Sequence, residues 1–135
     1  MSELQLLQTF KNQIINFLDE LIQQFPNQAE FVIIRVFVKD QIPLADVLGR
    51  FIKECLDFHD QIKQKDEKFF LESDIIVNAL GGNQMGLDVM DKLRELWRSD
   101  SLDQEDRDMV WRWLDLFFNI AQKYKTKYGY VPGWE

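Results

Sequence analysis

The sequence predicts an all-α protein, a single-domain helical bundle of about five helices plus a short connecting helix over residues 1–135, with residues 128–135 forming an extended C-terminal tail. Three observations carry that expectation. Apolar residues recur at helical spacing along most of the chain. Candidate caps and helix breakers fall between these stripes. The run with strand character has no comparable second run to pair with.

The first helix is expected from Leu4 to Phe25, with Leu4, Leu7, Phe10, Ile14, Phe17, Leu18, Leu21 and Phe25 on one stripe. Ser2 and Gln5 match a capping box, and Pro26 disfavours α geometry in the residue before it. Residues 29–38 are mostly β-branched or aromatic, a local strand signal. The candidates for a pairing strand are only the weak runs Ile75-Ile76-Val77 and Tyr128 to Val131. Read as a helix, the segment gathers Gln28, Arg35 and Lys39 into one narrow polar stripe, which predicts a mostly buried central helix capped by Asn27 and Glu30.

Pro43 suits a first helical turn. From it a long helix is expected to about Gln64, with Leu44, Leu48, Phe51, Ile52, Cys55, Leu56 and Ile62 inward. Lys65 to Glu72 reads as a charged connection around Phe69-Phe70-Leu71, and Ser73-Asp74 caps a short helix that stops at Gly81-Gly82. Asn83 opens a helix carrying Leu87, Met90, Leu93, Leu96 and Trp97. Ser101 or a neighbour caps the last long helix, whose inward residues are Val110, Trp113, Leu114, Phe117, Ile120, Ala121 and Tyr124. Acids at its start and Lys123, Lys125 and Lys127 at its end complement the helix dipole.

Composition narrows the function classes. A net charge of -7 disfavours a role in wrapping nucleic-acid phosphates, which needs clustered cations. The lone Cys55 excludes an internal disulfide, and Met1-Ser2-Glu3-Leu4-Gln5 lacks the layout of a signal peptide, so a reducing compartment is expected. No apolar run approaches the roughly 20 residues that cross a bilayer, so no membrane insertion is expected. The aromatic share of 13%, with eleven Phe and four Trp, either fills a dense core or reaches a binding surface.

No motif supplies chemistry. Cys55 and His59 stand four apart, a spacing at which two helical side chains can face one metal ion, yet no further Cys or His completes the ligand set. No metal and no cofactor are therefore expected. The lone His has no nucleophile paired with it by a recognised motif, so no catalytic residue is assigned. Gly81, Gly82 and Gly86 lack a phosphate-loop pattern, and the acids of residues 100–108 lack the glycine of a calcium loop. Trp111 and Trp113 stand two apart on a helix and cannot both point inward, which makes them candidates for a protein interface together with Tyr130 and Trp134 of the tail. Lys123, Lys125 and Lys127 alternate with Tyr124 and Tyr128, the pattern of a small nucleic-acid contact, while a solvated helix end accounts for the same residues.

Several stretches resemble a family of small, largely uncharacterised proteins of the nucleocytoplasmic large DNA viruses of eukaryotes, the mimivirus and chlorella virus kind. They are residues 16–22 (Asn16-Phe17-Leu18-Asp19-Glu20-Leu21-Ile22), 33–43, 65–72 and 96–99 continuing to Trp111-Arg112-Trp113. The resemblance implies a viral origin and a setting in the host cell cytoplasm or the virion, and it supplies no catalytic residue. The expected function is a non-enzymatic protein that works through protein partners, viral structural proteins or copies of itself, as a virion or minor capsid component. The rival expectations are an accessory factor of viral replication or transcription that touches nucleic acid, and a small enzyme using His59.

Overall fold

A computed structural model describes residues 2–129. In chain order it contains α1 (Glu3–Gln24), α2 (Ala29–Asp40), α3 (Leu44–Cys55), a 3-10 turn (Leu56–Phe58), α4 (His59–Lys63), α5 (Glu67–Glu72), α6 (Ile75–Ala79), α7 (Gln84–Arg98) and α8 (Gln104–Tyr128). No strand occurs among the described residues, so the all-α expectation holds. No helix among them is long and apolar enough to cross a membrane.

Local chemistry sets the helix starts. Ser2 and Gln5 form the predicted capping box on α1, and Asp103 with Asp106 forms a second on α8, two residues after the expected Ser101. Asn83 caps α7 by accepting the Gly86 N–H at 2.8 Å. α8 ends on Gly129 in the left-handed conformation that glycine adopts without a Cβ penalty.

The long helices α1, α3 and α8 meet around a chain of rings. Phe117 lies at the centre, with ring centroids 5.8 Å from Phe10, 5.7 Å from Phe17, 6.4 Å from Phe51 and 6.1 Å from Trp113. A second group, Phe70, Trp97 and Trp111, joins α5, α7 and α8 at 5.4–5.8 Å. The aromatic excess thus goes mainly to the core, where each ring removes a large apolar area from water. α1 packs on α2, α3 and α8, α3 on α6, and α7 on α2 and α6.

Four expectations are corrected. The helix from Pro43 stops at Cys55 and resumes at His59 after the 3-10 turn, because Asp57, Phe58 and His59 are weak helix formers and the break swings His59 onto Phe118. Residues 67–72 form a helix instead of a connection, since the Asp66 side chain accepts the Phe69 N–H at 3.0 Å and Phe70 and Leu71 are buried. In the first turn of α1 the inward residue is Leu6, while Leu4 is 56% exposed. α2 is a helix as predicted, but Gln28 occupies its N-cap without a side-chain bond, and the helix is not mostly buried.

Candidate interaction surface

α2 is held from two sides. On one, Arg35 forms an ion pair with Asp19 of α1, and Lys11 of α1 donates to the Lys39 carbonyl at 2.8 Å. On the other it packs on α7. Phe31, Ile34 and Val38 face inward and are fully buried. No element of the described chain covers the opposite face, where Val32, Ile33 and Val36 are 46%, 54% and 52% exposed. With Ala29 before them, their spacing is the i, i+3, i+4, i+7 pattern of an apolar contact stripe, which the charged Asp40 ends. One helix therefore carries two apolar stripes, one spent on the core and one facing water.

Phe37 sits one turn beyond Ile33 and half-buried, and it opens onto a groove of about 500 Å3. The groove walls are Gln41, Ile42 and Pro43 from the α2–α3 connection, Asp46 and Arg50 from α3, and Gly81 and Asn83 from the turn before α7. That turn needs its glycines: Gly81 and Gly82 have φ of +98° and +68°, backbone that other residues rarely adopt.

The sequence-predicted interface residues lie elsewhere. Trp111 is buried at 7% exposure against Phe70 and Trp97. Trp113 is half-buried against Phe17 and Phe117, with its Nε1 donating to Glu20 at 2.9 Å. The offset predicts one exposed ring of the two; Trp111 is not it, and Trp113 is half-buried. Their two-residue offset is met by placing the rings in the two aromatic groups. The tail predicted from residue 128 is corrected at its start, because α8 runs through Tyr128 and ends on Gly129, where the left-handed cap closes the helix. Tyr130 and Trp134, with the rest of the predicted tail, lie outside the described residues.

Lys123 and Lys127 are exposed and Lys125 is half-buried, but the alternating aromatics do not form a stacking platform. Tyr124 is fully buried and donates to Glu3 at 2.8 Å, and Tyr128 leans on Tyr124 at 4.9 Å. Cys55 and His59 turn to different neighbours. The thiol lies 3.9 Å from the Ile75 carbonyl, whereas the imidazole stacks on Phe118 at 4.9 Å with Nε2 3.8 Å from Asp115. Burial first, and the charge of Glu54 second, push the Cys55 thiol up to about 12, which makes it a poor nucleophile and metal ligand. Among the described residues no group of three His, Cys, Asp or Glu side chains is placed to hold a metal ion.

Compared with known proteins, the chain matches no family model, no curated protein and no solved structure at a significant level.

The residues that sequence reasoning missed are Val32, Ile33 and Val36. Their signal was present as an apolar stripe opposite Phe31, Ile34 and Val38, but a helix apolar except for one narrow polar stripe reads as mostly buried when nothing indicates which neighbours exist.

Proposed function

We propose that the protein is a non-enzymatic helical interaction protein that works by laying the exposed face of α2 against an amphipathic helix of a partner protein. The observation that carries the reading is the half-exposed trio Val32, Ile33 and Val36 on a helix otherwise well anchored. Helix-on-helix recognition uses this anchor spacing. Burying the remaining halves of these side chains is worth about 3 kcal/mol, taking about 1 kcal/mol for each. Association costs at least about 4 kcal/mol in lost freedom, so the partner must also touch the flanks of α2. The absence of chemistry around His59 and Cys55 favours this reading over an enzyme. The viral resemblance makes a structural protein of the virus particle our proposed partner class, with the host cytoplasm or the virion as the setting.

A photo-crosslinking amino acid in place of Val36, used in extracts of infected cells, tests the proposal. The expected result is one dominant protein adduct that disappears in Ile33→Glu. Adducts no more specific than those from a control position at Arg98 would refute it, and a dominant adduct with a host protein would retain the interaction and remove the viral partner.

A further inference from the structure

The groove beyond Phe37 holds a guanidinium with open donors. The other half-buried arginines are all engaged. Arg35 pairs with Asp19. Arg94 donates to the Leu71 carbonyl at 2.6 Å, the Ser73 carbonyl at 3.0 Å and Asp91 at 2.9 Å. Arg107 donates to the Trp97 carbonyl at 2.9 Å and to Asp100 at 3.0 Å. Arg50 makes no hydrogen bond and no ion pair among the described residues, even with Asp46 one turn earlier on the same wall. Packing holds it instead. A Cβ at Gly82 would come within 2.6 Å of its terminal nitrogen, so the missing side chain is what lets the guanidinium lie on that turn. Asn83, also on the wall, is occupied in donating to the Leu80 carbonyl and in capping α7.

This half-buried cation sits at the end of an apolar strip, because Phe37 belongs both to the groove and to the side of α2 that carries Ile33. A neutral partner covering the strip would leave Arg50 further desolvated and unpaired, which is unfavourable, whereas a carboxylate would meet it with paired, charge-assisted hydrogen bonds. We propose that Arg50 is the specificity anchor of the α2 surface and receives an acidic side chain carried by the partner helix about one turn beyond its apolar stripe. The proposal rests on the interaction reading above and adds the charge of the partner to it.

The test uses the full chain and two fluorescein-labelled amphipathic peptide helices. Both carry leucines at i, i+3, i+4 and i+7; one has glutamate a turn beyond them and the other glutamine. The glutamate peptide is expected to bind about tenfold tighter than the glutamine peptide, the preference to vanish in Arg50→Gln, and Asp46→Asn to widen it by removing a like charge on the groove wall that repels the incoming glutamate. Equal affinities in the natural chain, both lost in Ile33→Glu, would overturn the role of Arg50 and leave the α2 reading standing. A glutamate preference that survives Arg50→Gln would overturn it as well. Binding of neither peptide would overturn both. Acetate or inorganic phosphate displacing the glutamate peptide at equal concentration would show a simple anion pocket and refute the helix. Concentration-dependent pairing of the chain that the peptide blocks would make a second copy the occupant and refute the acidic partner. Should Arg50→Gln fail to fold, the glutamate-against-glutamine comparison and Asp46→Asn still decide the matter.

Discussion

Raising the pH should weaken this fold in part through one buried thiol. Cys55 is 1% exposed, and burial shifts its ionisation from an ordinary value of 9.0 to about 12. A group whose folded pKa is raised gives stability that is complete below the unfolded value and is lost as the pH climbs through the folded one. Between pH 9 and 12 the unfolded chain has released the thiol proton while the folded chain retains it, so stability falls by about 1.4 kcal/mol per pH unit. At about pH 10.5 the loss reaches about 2 kcal/mol, a large part of a typical 5–15 kcal/mol total. Lysines and tyrosines titrate in the same range, so the decisive quantity is a difference. Urea unfolding of the natural chain and of Cys55→Ala at pH 8 and at pH 10.5 should show the natural chain losing about 2 kcal/mol more than the variant. Parallel losses would refute the argument, because they would mean that Cys55 ionises as readily folded as unfolded.

Other expectations follow from the packing. Phe117→Ala removes the ring shared by Phe10, Phe17, Phe51 and Trp113 and should cost about 3–5 kcal/mol in urea unfolding. Lys65 holds φ +54° as the residue that closes α4, with the Asp66 N–H bonded to the Gln61 carbonyl at 3.0 Å. Glycine tolerates that backbone, so Lys65→Gly should raise stability by about 0.5–1 kcal/mol and the melting temperature with it. Because Tyr124 is buried, the Lys123, Lys125 and Lys127 end should show no binding to a single-stranded oligonucleotide at about 0.15 M salt by fluorescence anisotropy.

Much of the fold was legible because its determinants are local. The Ser2 capping box, the Asn83 cap, the Gly81-Gly82 turn and the spacing of Phe10, Ile14, Phe17 and Leu21 each act within a few residues of themselves. What escaped depends on neighbours distant in sequence. The period of Trp113 points to the core and its offset from Trp111 to the surface, and its half-buried place goes with Glu20, which accepts its N–H across the bundle. α2 combines strand-like residues with helical placement: it is helical because α1 and α7 flank it and the described residues contain no strand to pair with it, and half of its apolar side chains face water because no third element of the described chain covers them. Arg50 gave no sequence signal, since its isolation appears only against the pairing of Arg35, Arg94 and Arg107 in the folded chain.

The claim that α2 keeps an apolar face for a partner is tested most directly by the unfolding free energy of the isolated chain with Val32→Glu, Ile33→Lys and Val36→Glu combined. An uncovered helix face tolerates charge, and Glu and Lys are better helix formers than Val and Ile, so stability should stay within about 0.5 kcal/mol of the natural chain or rise slightly. A loss of several kcal/mol would mean that the chain itself covers these side chains, and it would contradict the account.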